Sequence, residues 1–153
     1  MKDTMKVKGW FEVELIRDGE TIAKRKTKNT ITNVGKAEIA NLIGNVSSPT
    51  AFTFLGVGVG TAAAAATDTT LGSEIVDTGL ARAAATMSRV TTTTTNDTVQ
   101  LLKAWTATGV KAVTECGFFN AVTVGILGGR QVFTAVNTAN GDILQITYKI
   151  QLT

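Results

Sequence analysis

AVTECGFFNAVTVGILGGRQVF, residues Ala112–Phe133, is the stretch that decides the fold. Its β-branched and aromatic residues fall into two runs, Ala112–Phe119 and Val124–Phe133, with Asn120–Thr123 supplying turn chemistry between them. The pattern predicts an antiparallel hairpin. Gly117 and the pair Gly128-Gly129 lie inside or beside these runs, where a missing side chain marks a bulge or a close approach of backbone. Glu115 and Cys116 are neighbours on one strand and so point to opposite faces, which prevents them from acting together. On residue chemistry this segment is core and not active site.

The same alternation continues on both sides. Leu144, Ile146, Tyr148, Ile150 and Leu152 alternate with Gln145, Thr147, Lys149 and Gln151, a strand with one apolar face that belongs at the centre of a sheet. Near the other terminus Phe11, Val13 and Leu15 alternate with Glu12 and Glu14, and Asp18-Gly19 turns the chain into a return strand over Thr21–Lys26. That return strand has little to bury, and its Lys24, Arg25 and Lys26 suit an edge protected against unwanted pairing. Met1–Val7 reads as a loose arm. Thr32 or Asn33 can N-cap a helix over about residues 33–43, with Ala37, Ile39, Ala40, Leu42 and Ile43 as its apolar stripe and Gly44 as its stop. Leu80–Thr95 and Thr98–Thr108 read as a long hairpin about Asn96-Asp97, which sets Val90 opposite Lys103 and Thr92 opposite Leu101. The chain is therefore expected to be mainly β. It should form a single antiparallel β-sandwich or barrel-like domain with one short α-helix. Residues 1–28 supply an N-terminal arm and basic hairpin, and residues 29–153 the core.

Few reactive constellations are present. The chain has no His and a single Cys, Cys116, which rules out an intrachain disulfide and a thiolate metal cluster and leaves no imidazole base. Phe52–Gly60, FTFLGVGVG, imitates a dinucleotide-binding turn, but its glycines are spaced G-x-G-x-G and Thr61 stands where the fingerprint needs its third glycine. Gly56, Gly58 and Gly60 read instead as a strip against which another backbone or a ring packs. Thr61–Gly72, with its five alanines, is too short a run to nucleate a helix and reads as a surface loop. Asp68, Glu74 and Asp77 match no calcium-loop spacing and read as solvated acids. Neither catalytic residues nor a cofactor or metal site is expected. Ile39–Thr67 is uncharged, yet Asn, Gly, Ser and Pro break it well short of the ~20 apolar residues of a membrane span. Met1–Trp10 is charged and lacks the apolar run of a signal peptide.

Charge divides the chain. Residues 1–36 hold nine Lys/Arg against five acids, whereas residues 37–153 hold 13 charged residues in 117, about 11%, against roughly 25% in ordinary soluble domains. So neutral a domain must cover itself with the hydroxyls and amides of its Thr, Ser and Asn, Thr alone appearing 27 times in the whole chain, or bury its faces against other subunits. The second reading is favoured. Lys2, Lys6, Lys8, Lys24, Arg25, Lys26 and Lys28, with Trp10, form the candidate partner-binding surface for an acidic neighbour. Nucleic acid would call for interleaved aromatics or a recognisable fold motif, which this cluster lacks.

Beyond composition, particular segments carry a resemblance. Asn29-Thr30-Ile31-Thr32-Asn33 with Gly35-Lys36, Phe54-Leu55-Gly56-Val57-Gly58, Val113–Ala121, Arg130–Phe133 and Asn140-Gly141-Asp142 with Leu144–Ile150 resemble small structural proteins of tailed bacteriophages. The similarity covers about residues 29–152. It is to capsid decoration (cement) proteins and, more remotely, to the attachment domains of tail-collar fibres. The resemblance implies a virion protein with no catalytic residue, often trimeric, that binds the major capsid protein and waits in the host cytoplasm before assembly. A tail-fibre or baseplate component is the alternative. A carbohydrate-binding β-domain is a third, and would use Trp10, Trp105 and Tyr148 as exposed platforms.

Overall fold

A computed structural model describes residues 4–153, so Lys2 lies outside the described residues. The alternating stretches become strands as expected. β1 (Val7–Arg17) and β2 (Glu20–Lys28) form the N-terminal hairpin, turned by Asp18 and Gly19 at φ 51° and 81°. A two-residue β3 (Thr30–Ile31) and helix α1 (Asn33–Gly44) follow, then β4 (Phe54–Gly58), β5 (Ala83–Ala84), β6 (Thr86–Val90) and β7 (Thr98–Thr106). The deciding stretch supplies β8 (Lys111–Phe119) and most of β9 (Leu127–Thr138), and β10 (Ile143–Leu152) ends the fold. One sheet has the order β2-β1-β10-β7-β6 and the other β3-β9-β8-β4-β5, both antiparallel. Neither closes, so the architecture is a β-sandwich and not a barrel.

β10 is the middle strand of its sheet, between β1 and β7, because its inward residues Leu144, Ile146 and Tyr148 are fully buried. Across the interior, the Tyr148 ring stacks on Phe118 at 4.2 Å and leans on Phe11 at 4.5 Å, and Phe118 meets Phe52 edge-on at 5.0 Å. This pile of rings joins the two sheets. Gly128 belongs to it, since a Cβ there would run into the Phe118 ring.

Five expectations are corrected, each for a physical reason. The turn between β8 and β9 is wider than Asn120–Thr123. Val124 and Gly125 adopt left-handed φ of 57° and 72°, the Asn120 side chain accepts from Ile126 N–H at 2.7 Å, and Arg82 donates to the carbonyls of Ala121 and Val124.

The helix begins on Thr32, whose hydroxyl accepts from Gly35 N–H, and ends with Asn45 in the left-handed region. It buries only part of the apolar stripe: Ile39 and Leu42 are half-buried and pack against the core. The fully buried part of its inward face is Gly35, lying against the Gly128 carbonyl, and Glu38, whose carboxylate accepts from Thr50 N–H and from the amides of Asn41 and Asn120. Ala37, Ala40 and Ile43 face outward, and Ile43 is 71% exposed.

The hairpin over 80–108 is interrupted. β5 pairs with β4 in the second sheet before the chain crosses to the first, where Val90 lies opposite Thr98 rather than Lys103. Asp97 sets this register: its carboxylate accepts the N–H groups of Thr92, Thr93 and Thr94 at 2.8–3.0 Å and coils Thr91–Asn96 into a loop. Lastly, Asp68, Glu74 and Asp77 are ion-paired, with Arg130 (2.7 Å), Arg82 (2.6 Å) and Lys111 (2.9 Å); Asp68 and Glu74 are sheltered from solvent, whereas Asp77 remains a solvated acid.

The arm is shorter than Met1–Val7. Lys6 and Thr153 exchange backbone hydrogen bonds, which extends the β1–β10 ladder by one pair.

Candidate functional site

The glycine strip of β4 proves to serve a carboxylate. Glu115, fully buried on the outer side of β8, accepts from Gly60 N–H (2.9 Å), Gly72 N–H (2.9 Å), Ser73 N–H (2.7 Å) and Arg130 Nε (2.7 Å). A Cβ on Gly58 or Gly60 would collide with its Oε1. Burial pushes this carboxyl up, but the N–H groups of Ser73 and Gly72, the Arg130 guanidinium and Gly60 N–H together outweigh it and hold it below the usual carboxylate range. Arg130 continues the network to Asp68 and to the Ala62 carbonyl, so loop 59–73 is clamped onto the sheet. Cys116 points the other way, into the core, where burial and then the Glu115 charge push its thiol up. Every hydrogen-bonding contact of Glu115 is structural. The network is a staple.

The accessible site lies elsewhere, at the corner where the chain changes sheets. β2 ends at Lys28, opposite Trp10, and Asn29 then donates its N–H to the Gly9 carbonyl and its side-chain amide to Tyr148 Oη at 2.9 Å. Gly9 must lack a side chain here, because a Cβ would strike both Asn29 and the Tyr148 hydroxyl. From Asn29 the chain leaves for β3 and α1, which opens a groove of about 770 Å³ between the start of β1, the end of β2 and the helix. Lys8, Trp10, Lys26, Lys28 and Lys36 line it, and no carboxylate among the described residues does. A second hollow of about 330 Å³ continues it along the helix; the two share Val7, Ile31 and Lys36, and the second adds Ile39, Ala40 and Ile43.

The expected basic surface is thus partly gathered. Lys8, Trp10, Lys26 and Lys28 come together. Lys24 lies farther along β2 opposite Glu14, Arg25 is half-buried and donates to the Lys24 carbonyl, and Lys6 is an exposed residue of the β1 extension. Lys26 is partly neutralised, with its Nζ 3.6 Å from Glu12 and 5.6 Å from the centre of the Trp10 ring, while Trp10 Nε1 donates to Glu12 at 3.2 Å. Lys8, Lys28 and Lys36 make no ion pair among the described residues. Lys36 and the apolar half of the groove escaped the sequence reading because residues 7, 31 and 36–43 meet only once the chain has switched sheets. The exposed tail of the helix's apolar stripe was the available signal.

Of the aromatics considered as carbohydrate platforms, Tyr148 is fully buried and Trp105 is buried with Nε1 donating to the Ala81 carbonyl, so only Trp10 remains at the surface. No family, curated protein or solved structure matches this chain.

The rest of the surface is more neutral than the composition implies. Of the 13 charged residues beyond Lys36, Glu38, Glu115, Arg130 and Asp142 are buried, and Asp68, Glu74, Asp77, Arg82, Lys111 and Lys149 stand in ion pairs. Asp97 is committed to its loop. Only Arg89 and Lys103 are left uncommitted to an ion pair or a cap among the described residues. Near the C-terminus of α1, Val46 (55% exposed), Val122 (51%) and Val124 (89%) project from two loops tied together through Glu38.

Proposed function

We propose that this chain is a structural protein of a tailed-bacteriophage virion, a capsid decoration protein that braces the head by binding neighbouring capsid subunits. One observation carries the reading: nearly all charge beyond Lys36 is spent internally, which leaves neutral outer surface with projecting aliphatics, besides a lysine-lined groove. Neutral faces with projecting aliphatics suit permanent contacts between copies of the chain, and the homotrimer is the assembly proposed. The groove suits the contact with the capsid. The resemblance of residues 29–152 to cement proteins supports the same assignment.

Quantitative mass spectrometry of purified particles tests it through the ratio of this chain to the major capsid protein. A decoration protein is expected in a number comparable to the capsid subunits. A handful of copies per particle would move it to the tail or baseplate, and its absence from particles would reject the proposal.

A further inference from the structure

We infer that the groove beside Val7 seats an extended, acidic segment of a neighbouring virion subunit, with an aliphatic side chain in its apolar half and carboxylates at Lys8, Lys28 and Lys36. The inference rests on the virion reading and names the chemistry of the contact. Three features of the groove lead to it. Its walls carry four lysines from the two strands and the helix and, among the described residues, no acid, so an anionic occupant meets complementary charge, most strongly at the three lysines without an ion pair. The adjoining hollow is walled by Val7, Ile31, Ile39 and Ile43 and offers an aliphatic side chain an apolar seat beside Lys36. The third feature is a free backbone edge. Lys6 and, by alternation, Lys8 and Trp10 turn their N–H and C=O groups toward β10, which leaves those of Val7 and Gly9 facing the β2 side. β2 occupies that side only as far as Lys28, and Asn29 takes the Gly9 carbonyl, so among the described residues Val7 has no strand partner there. An extended peptide can occupy the lane that β2 vacates and pair with this edge.

The apolar half decides between a peptide and single-stranded nucleic acid, since it gives a phosphate backbone nothing. Trp10 is also a poor stacking platform, because Lys26 already lies over its ring and Glu12 holds its Nε1.

An array of overlapping peptides of about a dozen residues, covering all structural proteins of the particle, tests the inference when probed with the full chain. Wild type should select segments rich in Asp and Glu that contain Leu, Ile or Val. The double charge reversal Lys28→Glu/Lys36→Glu should weaken that binding by about tenfold or more. Ile43→Asp, at an exposed position, should weaken it while leaving the melting curve unchanged. Selection of neutral or basic segments, insensitivity to these substitutions, or equal displacement by a poly-dT oligonucleotide would overturn the inference. A chain present in particles at capsid-like number that selects no acidic segment loses this inference alone. Absence from particles would remove the reading beneath it.

Discussion

Replacing Glu115 with alanine is expected to lower the unfolding free energy by about 3–5 kcal/mol, the usual cost of breaking a buried ion pair by removing one partner. Urea denaturation measures it. The substitution strands the N–H groups of Gly60, Gly72 and Ser73 together with one edge of the buried Arg130 guanidinium. Arg130→Met should cost less, because the Glu115 carboxylate keeps its three backbone donors. That order separates a carboxylate that folds the loop from a simple ion pair, and equal costs would contradict it. A pH dependence follows from the same group. The folded carboxyl titrates below its unfolded value of about 4.3, so the stability it contributes is full above that value and is lost as the pH falls through the folded pKa. In Glu115→Gln that part of the acid sensitivity should vanish, while the part due to Asp142, held low chiefly by Arg17, persists.

Tyr148→Ala should be comparably damaging, at about 3–5 kcal/mol, since it empties the centre of the stack formed with Phe11 and Phe118. Tyr148→Phe keeps the rings and loses only the hydrogen bond from Asn29, about 1 kcal/mol. The pair of variants distinguishes packing from polar anchoring at the strand switch. Should Tyr148→Phe cost as much as Tyr148→Ala, the junction at Asn29 and not the ring stack would hold the sheets together.

These two residues also mark what a sequence can disclose. Tyr148 was legible as core from simple alternation along β10, and the same rule placed Phe11, Val13 and Leu15. Glu115 was not: its partners are backbone groups 42 to 55 residues away, and nothing in a strand's alternation reports a carboxylate buried beneath a loop. The glycines of FTFLGVGVG hinted at a close approach without naming what approaches. Helix α1 misled for a related reason. Its apolar stripe invited burial as a whole, yet the inward face centres on Gly35 and Glu38, so that Ile39 and Leu42 pack on the core while Ile43 is left beside the groove. Register across Thr91–Asp97 depended on an aspartate side chain and not on hydrophobicity. In the candidate interface, Lys8, Trp10, Lys26 and Lys28 were visible as a basic cluster. Lys36 and the apolar seat required the change of sheets at Asn29, which no local pattern encodes.

A domain with so little uncommitted surface charge is expected to keep permanent company. Sedimentation equilibrium of the purified chain over a wide concentration range tests that most directly. A mass three times the 16.0 kDa of the single chain, unchanged on dilution, is the predicted result. A stable, freely soluble particle of single-chain mass at every concentration would contradict it.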